Sequence, residues 1–166
     1  MIIMKLDRDI TSSWLAGFVD GEGCFMISFS LRAKMKYGFE IRPSFSCSQK
    51  KDKQGFNFSV LNFIKQELKS GFIRFSKKDQ LWKYEVRNMN SLHNNVIPYF
   101  DTNLLHTSKQ VDFYKFKRIC WIIKSNHHLS ISGAKEIIEL AFSMSKSGKR
   151  KYTKEQLLKL LDKVKI

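Results

Sequence analysis

Between Cys24 and Ser48 apolar and polar residues alternate with little interruption, and this period of two constrains the fold more than any other feature of the chain. Phe25, Ile27, Phe29 and Leu31 alternate with Met26, Ser28, Ser30 and Arg32. After a turn near Lys36 to Gly38, Phe39, Ile41, Phe45 and Cys47 alternate with Glu40, Arg42, Ser44, Ser46 and Ser48. The pattern predicts a long hairpin with one buried and one polar face. A shorter hairpin repeats the theme. Ile73 and Phe75 alternate with Arg74 and Ser76, a turn runs through Lys77-Lys78-Asp79-Gln80, and Trp82, Tyr84 and Val86 then alternate with Lys83, Glu85 and Arg87.

Segments of helical period surround the hairpins. Ile10, Trp14, Leu15, Phe18 and Val19 predict a first helix, capped by Asp9 or Thr11 and ending at Gly21 to Gly23. Val60, Leu61, Ile64 and Leu68 predict another over residues 57–69, stopped by Gly71. A short helix near Leu92 to Ile97 precedes a longer one from Thr107 to Lys124, with Phe113, Phe116, Cys120 and Ile123 on one side. The order is αββαββα, a mixed α/β (α+β) unit over residues 9–125. A helical annex follows over 130–166, where Lys135 to Met144 is amphipathic, Ser147 to Lys151 is a basic link, and Thr153 to Gln156 has capping-box spacing. Residues 1–166 read as one domain. With 43% hydrophobic residues, 13% of all residues being aromatic, the chain can build a sizeable core.

Charge narrows the partners. Thirty Lys or Arg against 15 Asp or Glu give a net charge of +15, spread along the chain, which favours a polyanion and duplex nucleic acid before a membrane surface. No apolar run approaches the ~18 residues of a membrane span, and Met1 to Lys5 lacks a signal-peptide core, so a soluble protein with no membrane partner is expected. Cys24, Cys47 and Cys120 are odd in number and set among apolar residues, as reduced core thiols would be, and the four histidines lack zinc-site spacing.

Three glycines, Gly17, Gly21 and Gly23, fall in or at the end of the first helix, where each interior one costs about 1 kcal/mol relative to Ala. Ser13, Gly17 and Gly21 recur every four residues and form a stripe of small residues that lets another backbone approach, either this chain's own sheet or a second copy. Asp20 and Glu22 stand where the helix dipole is already negative, a placement that costs a carboxylate about 0.3–1 kcal/mol and is better explained by a cation. Two copies packed through the stripe about a twofold axis would bring two Glu22 carboxylates together beside peptide carbonyls, a setting for a divalent metal.

Leu15-Ala16-Gly17-Phe18-Val19-Asp20-Gly21-Glu22-Gly23 resembles the LAGLIDADG motif at every position, and αββαββα is similar to that family's order. The resemblance implies the LAGLIDADG homing-endonuclease fold, with a four-stranded antiparallel, saddle-shaped DNA-binding sheet. It implies an enzyme that cuts both strands of a long site with Mg²⁺ and leaves 3′ overhangs, with Mn²⁺ able to substitute and Ca²⁺ supporting binding only. One motif copy implies a homodimer on a near-palindromic site, with Ser13, Gly17, Asp20 and Gly21 at the interface. Glu22 holds the motif's metal-binding acid position and the Gly21 carbonyl a second ligand position. Gln49 matches a polar position near the attacking water, and Lys53 a basic position close by. The family often carries a lysine before its long helix. Thr107 stands there in this register and Lys109 follows two residues later, either as catalytic helper or as a plain phosphate contact or solvated helix start.

The polar faces of the four strands supply an independent argument. Strands of ~10–12 residues span ~33–40 Å, about one turn of B-DNA, so each subunit could read roughly 10 bp and a dimer about 20 bp. Met26, Ser28, Ser30, Arg32, Glu40, Arg42, Ser44, Ser46, Arg74, Ser76, Lys83, Glu85 and Arg87 mix Arg for guanine, Glu for cytosine and hydroxyls for either. Lys34, Ser48 and Lys78 extend the set. Gly71 to Phe75 superficially resembles an RNA-recognition signature, but Ile73 and Phe75 face inward. Lys149-Arg150-Lys151 reads as a phosphate contact or a soluble link, and His127-His128 as surface.

Two rivals stand beside the nuclease: a non-cleaving binder of the same fold, such as an RNA-splicing maturase or DNA-binding regulator, and a generic basic RNA-binding domain. Host intron RNA is a further candidate partner. Abundant Lys, Phe and Ile with only four Ala suggest AT-rich coding and an organellar gene, with the cytoplasm or nucleoid as the other setting.

Overall fold

A computed structural model describes residues 8–145 and 150–163, with side chains from Thr11 onward. Met1 to Lys5 and Ser147 to Lys149 of the basic link lie outside the described residues. The elements follow the expected order: α1 (Arg8–Glu22), β1 (Gly23–Leu31), β2 (Phe39–Lys50), α2 (Phe56–Glu67), β3 (Phe72–Ser76), β4 (Leu81–Val86), α3 (Met89–Ser91), α4 (Ile97–Thr102), α5 (Lys109–Lys124), α6 (Ile131–Ser143) and α7 (Lys154–Asp162). No helix among the described residues is long and apolar enough to cross a membrane.

The four strands form one antiparallel sheet in the order β1-β2-β4-β3. Met26 opposite Ser44, Ser28 opposite Arg42 and Ser30 opposite Glu40 keep one face polar, while Phe25 opposite Phe45 keeps the other apolar. Pro43 lies within β2, where a missing N–H would break a ladder bond. The break is avoided because β4 pairs β2 only from Phe45 to Lys50, which leaves the β2 edge unpaired at Pro43. The helices cover the apolar face, and Phe25, Phe45, Phe100, Phe113 and Phe116 meet at its centre. Cys47 and Cys120 are buried free thiols, as expected.

A second core joins Tyr37 and Phe39 of the long hairpin to Ala134 and Ile138 of α6 and Leu157 and Leu161 of α7. The annex thus braces the hairpin tip. Tyr37 Oη and Lys36 Nζ both donate to the Leu129 carbonyl, at 2.6 and 2.8 Å. Arg150 of the basic link is tied into the fold. It donates to the Ile27 carbonyl on the outer edge of β1 at 3.0 Å and to the Ala141 carbonyl, and it stacks on Phe142 at 4.7 Å.

Several helix ends differ from the sequence reading. Because α1 includes Arg8, Asp9 and Thr11 lie within the helix and not at its start, and Thr11 is buried. Asp52 caps α2 from four residues upstream, accepting from Phe56 N and Asn57 N at 2.8 and 3.2 Å. That helix stops at Glu67, and Gly71 instead admits the chain to β3. At φ +80° a Cβ there would meet Tyr84 Cε2 at 2.7 Å and the Glu85 carbonyl at 2.8 Å. The expected short helix is a longer run from Met89 to Thr102, in which α3 and α4 are joined by a π turn over Leu92–Val96. The capping box of α7 is present in both directions, Gln156 N to Thr153 Oγ1 at 3.2 Å and Thr153 N to Gln156 Oε1 at 2.9 Å.

Candidate active site and nucleic-acid interface

The last turn of α1 runs directly into β1. At Gly23 a Cβ would lie 2.5 Å from Val19 Cγ1 and 2.7 Å from the Val19 carbonyl, so only glycine makes this junction. The tight join holds Glu22 at the boundary of helix and sheet, where it is exposed and makes no hydrogen bond or ion pair among the described residues. The exposed Gly21 precedes it.

Lys109, the first residue of α5, reaches across to this helix end. Its Nζ donates to the Val19 carbonyl at 2.8 Å and lies 3.4 Å from the Gly21 carbonyl. A cation is favoured at a helix C-terminus, so Lys109 offsets part of the negative charge gathered there. Thr107 is spent elsewhere, its Oγ1 donating to Asp20 Oδ1 at 2.7 Å. Both positions therefore reach the last turn of α1, Thr107 at the Asp20 carboxylate and Lys109 at the Val19 and Gly21 carbonyls. Burial pushes the Cys47 thiol up to about 12; Lys109 pulls it down, and Cys24 and Glu22 push it up again. One point on the sheet therefore senses both Lys109 and Glu22. Gln49 lies two residues beyond Cys47 on β2, just past the Gly23–Cys47 pair where β1 begins, and the exposed Lys53 follows in the next loop.

Asp20 needs no metal or partner to explain it. It accepts from His106 N at 2.6 Å, from Thr107 N at 3.3 Å and from Thr107 Oγ1, tying α1 to the loop before α5. Burial raises its pKa, but these bonds and Lys109 outweigh burial and leave it below 3.8. A carboxylate whose pKa is depressed on folding stabilises the fold above the unfolded pKa, and the contribution is lost as pH falls through the folded value. Asp20→Asn should therefore lower the melting temperature at pH 7, with the gap to wild type closing below about pH 3.8 in thermal melts across pH.

The small-residue stripe faces outward. Ser13, Gly17 and Gly21 are exposed, and a Cβ on Gly17 or Gly21 would meet nothing within 4 Å, so packing against this chain's own sheet is not the reason for the glycines. Trp14 flanks the stripe, 43% exposed, stacked on Phe18 and edge-on to Phe63.

The polar residues of the strands share one face, as their spacing predicts. Arg74 opposite Lys83 and Ser46 opposite Glu85 continue the rows begun by Met26, Ser28 and Ser30. Exposure divides them. Arg32, Arg74 and Arg87 are exposed, as are Lys34 and Lys78 in the two hairpin turns, while Ser48 is half-buried and Ser44 and Ser46 lie at the buried floor. Ser28 Oγ donates to the Arg42 carbonyl at 3.3 Å, and Ser76 Oγ to Asp79 Oδ2 at 2.9 Å.

Both acids on this face depart from the expected role of cytosine readers. Glu85 is fully buried beneath Arg74, Lys83 and Arg87, at 3.7, 3.2 and 2.9 Å. Glu40 Oε2 is shared by Arg32 Nε at 2.8 Å and Arg42 Nη2 at 2.7 Å. Each carboxylate already holds cations. Phe72, which the alternation did not single out, stands opposite Glu85 on the same face and is 43% exposed.

The oxygens of Glu22 and Gly21 are hard donors of the kind Mg²⁺ takes. The described residues contain no group of three His, Cys, Asp or Glu that could enclose a metal.

The chain matches the family described as LAGLIDADG endonuclease over residues 15–120. It is 31% identical over 134 residues to an uncharacterized cox1 intron-2 37.2 kDa protein of Schizosaccharomyces pombe, covering 81% of this chain and 38% of that protein. With the probable intron-encoded endonuclease Cox1-I1b of the same organism it shares 30% identity over 152 residues, covering 92% and 37%. The chain thus spans about a third of the length of these curated relatives. Solved structures match it more fully. The archaeal intron-encoded homing endonuclease I-Vdi141I, complexed with DNA, superposes with a TM-score of 0.85 at 28% identity, covering 95% of this chain and 98% of that one. The homing endonuclease I-TnaI superposes at 0.77 with 30% identity, covering 93% and 97%. Motif, sheet topology and these matches agree, and the chain belongs to the LAGLIDADG endonuclease family.

Proposed function

We propose that this protein is a site-specific DNA endonuclease of the intron-homing type, acting as a homodimer on a near-palindromic site of about 20 bp. One observation carries the reading: a solvent-facing carboxylate, Glu22, with no hydrogen bond or ion pair among the described residues, ends a helix that exposes a stripe of small residues, at the edge of a basic, polar sheet face. An acid with no hydrogen bond or ion pair among the described residues, on a chain of net charge +15, serves chemistry better than stability.

Packing through Ser13, Gly17 and Gly21 would set two copies of Glu22 side by side, one for each DNA strand, and two sheets end to end along the duplex. Glu22 and the Gly21 carbonyl are the groups that would hold Mg²⁺ or Mn²⁺, which when bound supplies an activated water and charge stabilisation at the scissile phosphate. Lys109, fixed on the Val19 carbonyl, holds a positive charge beside that phosphate and limits the repulsion between the helix end and the anion. Gln49 orients the attacking water, and Lys53 contacts phosphate from its exposed loop. Two cuts staggered across the minor groove would leave 3′ overhangs. The cox1 and ND4 introns named for its relatives support an organellar intron as the gene's setting.

The test is a selection of bound duplexes from a randomised pool in Ca²⁺, followed by incubation of the enriched duplex in Mg²⁺. A near-palindromic consensus cut at its centre is expected. Enrichment without cutting would point instead to the binder or maturase, and no enrichment would leave only a basic nucleic-acid-binding domain.

A further inference from the structure

We propose that Glu85 is a positioning residue for base readout: it locks Arg74, Lys83 and Arg87 into one guanine-reading cluster near the active-site end of the sheet face, distinct from a second cluster that Glu40 organises toward the hairpin tip. The inference rests on the DNA-cutting reading and adds where in the half-site the discrimination lies.

A fully buried carboxylate on the polar face of a sheet is unusual, because acids are seldom buried unless paired. Here three cations roof it over. Arg74 and Arg87 remain 48% and 60% exposed and Lys83 22%, so each reaches the carboxylate with part of its donor set and offers the rest outward. Neither Glu85 oxygen receives a well-aligned hydrogen bond, so the cluster is held by charge. Burial raises the pKa of Glu85, yet Lys83 and Arg87 outweigh it and the group is ionised at neutral pH. Three cations and one anion leave a net charge of +2, aimed at the face where the duplex lies. An arginine fork pairs two donors with guanine O6 and N7, whereas a carboxylate fully buried beneath its cations presents no oxygen to cytosine.

Glu40 repeats the device in softer form. Its side chain is 29% exposed and ties Arg32 and Arg42 together. Ser46 pairs with Glu85, and Glu40 is six residues from Ser46 along β2. Six residues of strand cover about 20 Å, or about 6 bp of duplex at ~3.4 Å per step. The cut site should therefore carry two guanine-selective positions about 6 bp apart in each half.

The experiment repeats the randomised-duplex selection in Ca²⁺ with wild type, Glu85→Gln, Arg87→Gln and Glu40→Gln, scoring base preference at every position. Glu85→Gln and Arg87→Gln should lose about tenfold in guanine preference at the inner position and leave the outer one unchanged. Glu40→Gln should do the reverse. Unchanged preferences in Glu85→Gln, or loosening of both positions alike, would overturn the proposal. If thermal melting shows that Glu85→Gln does not fold, the exposed pair Arg74→Gln and Arg87→Gln decides. Loss at the same inner position supports one cluster, and loss at different positions or at none overturns it. A wild-type protein that enriches no sequence overturns the DNA-cutting reading and this inference with it.

Discussion

Glu22→Gln is expected to bind its DNA target within about twofold of wild-type affinity and to cut it about 10³-fold more slowly, a loss of ~4 kcal/mol in transition-state stabilisation. The amide keeps the shape of the side chain and gives up the charge that would hold a divalent cation. Folding should not suffer. Glu22 makes no hydrogen bond or ion pair among the described residues, and neutralising an acid at a helix C-terminus removes an unfavourable dipole interaction worth about 0.3–1 kcal/mol. A variant that is slightly more stable, binds normally and does not cut would separate a catalytic carboxylate from a structural one. The measurements are a thermal melt, a binding isotherm in Ca²⁺ and a single-turnover cutting rate in Mg²⁺. Retained cutting by a pure preparation would sink the assignment.

Strands were legible in the sequence because their period of two is imposed by a core on one side and solvent on the other. The alternation places Ile73 and Phe75 away from the polar surface, as observed, whereas Cys24, expected as a core thiol, stands half-buried opposite Ser46 on the polar face. Helix ends were read less well, since their partners are remote. Lys109 reaches the end of α1 across 90 residues, and Asp20 fastens a loop 86 residues away. Asp52 caps α2 from upstream, where the usual offset of a capping side chain gives no signal.

On the sheet face, alternation told which side a residue is on and not how deep it lies. Glu85 shares the alternation of the exposed readers, and the length of its neighbours, which buries it, has no periodic signature. Asp20 is held by groups just as remote in sequence. Its position at a helix C-terminus is unfavourable, and what compensates is the set of N–H and O–H donors of His106 and Thr107, which no local spacing reveals. Glu22 shares the unfavourable position without such donors, and that contrast was visible only once the fold was known.

If the proposed homodimer packs through α1, Gly17→Leu should convert it to a monomer and abolish double-strand cutting. In a single chain the new side chain would stand in open space, since nothing lies within 4 Å of a Cβ at this position. The helix itself should gain roughly 0.8 kcal/mol, the propensity difference between Gly and a good helix former. The monomer's melting temperature should then hold or rise, the opposite of what Gly23→Ala would do against Val19. Two helices packed through Ser13, Gly17 and Gly21 have no such room, because a small-residue stripe is useful only where backbones approach closely. The Leu side chain would force them apart by several ångströms and separate the two Glu22 carboxylates with them. Sedimentation equilibrium should then return the single-chain mass of 19.5 kDa in place of twice that value. Binding to one half-site would survive, with loss of the affinity that comes from engaging both halves at once. A Gly17→Leu protein that sediments as an unchanged dimer would move the interface off α1 and leave the two carboxylates with no reason to meet.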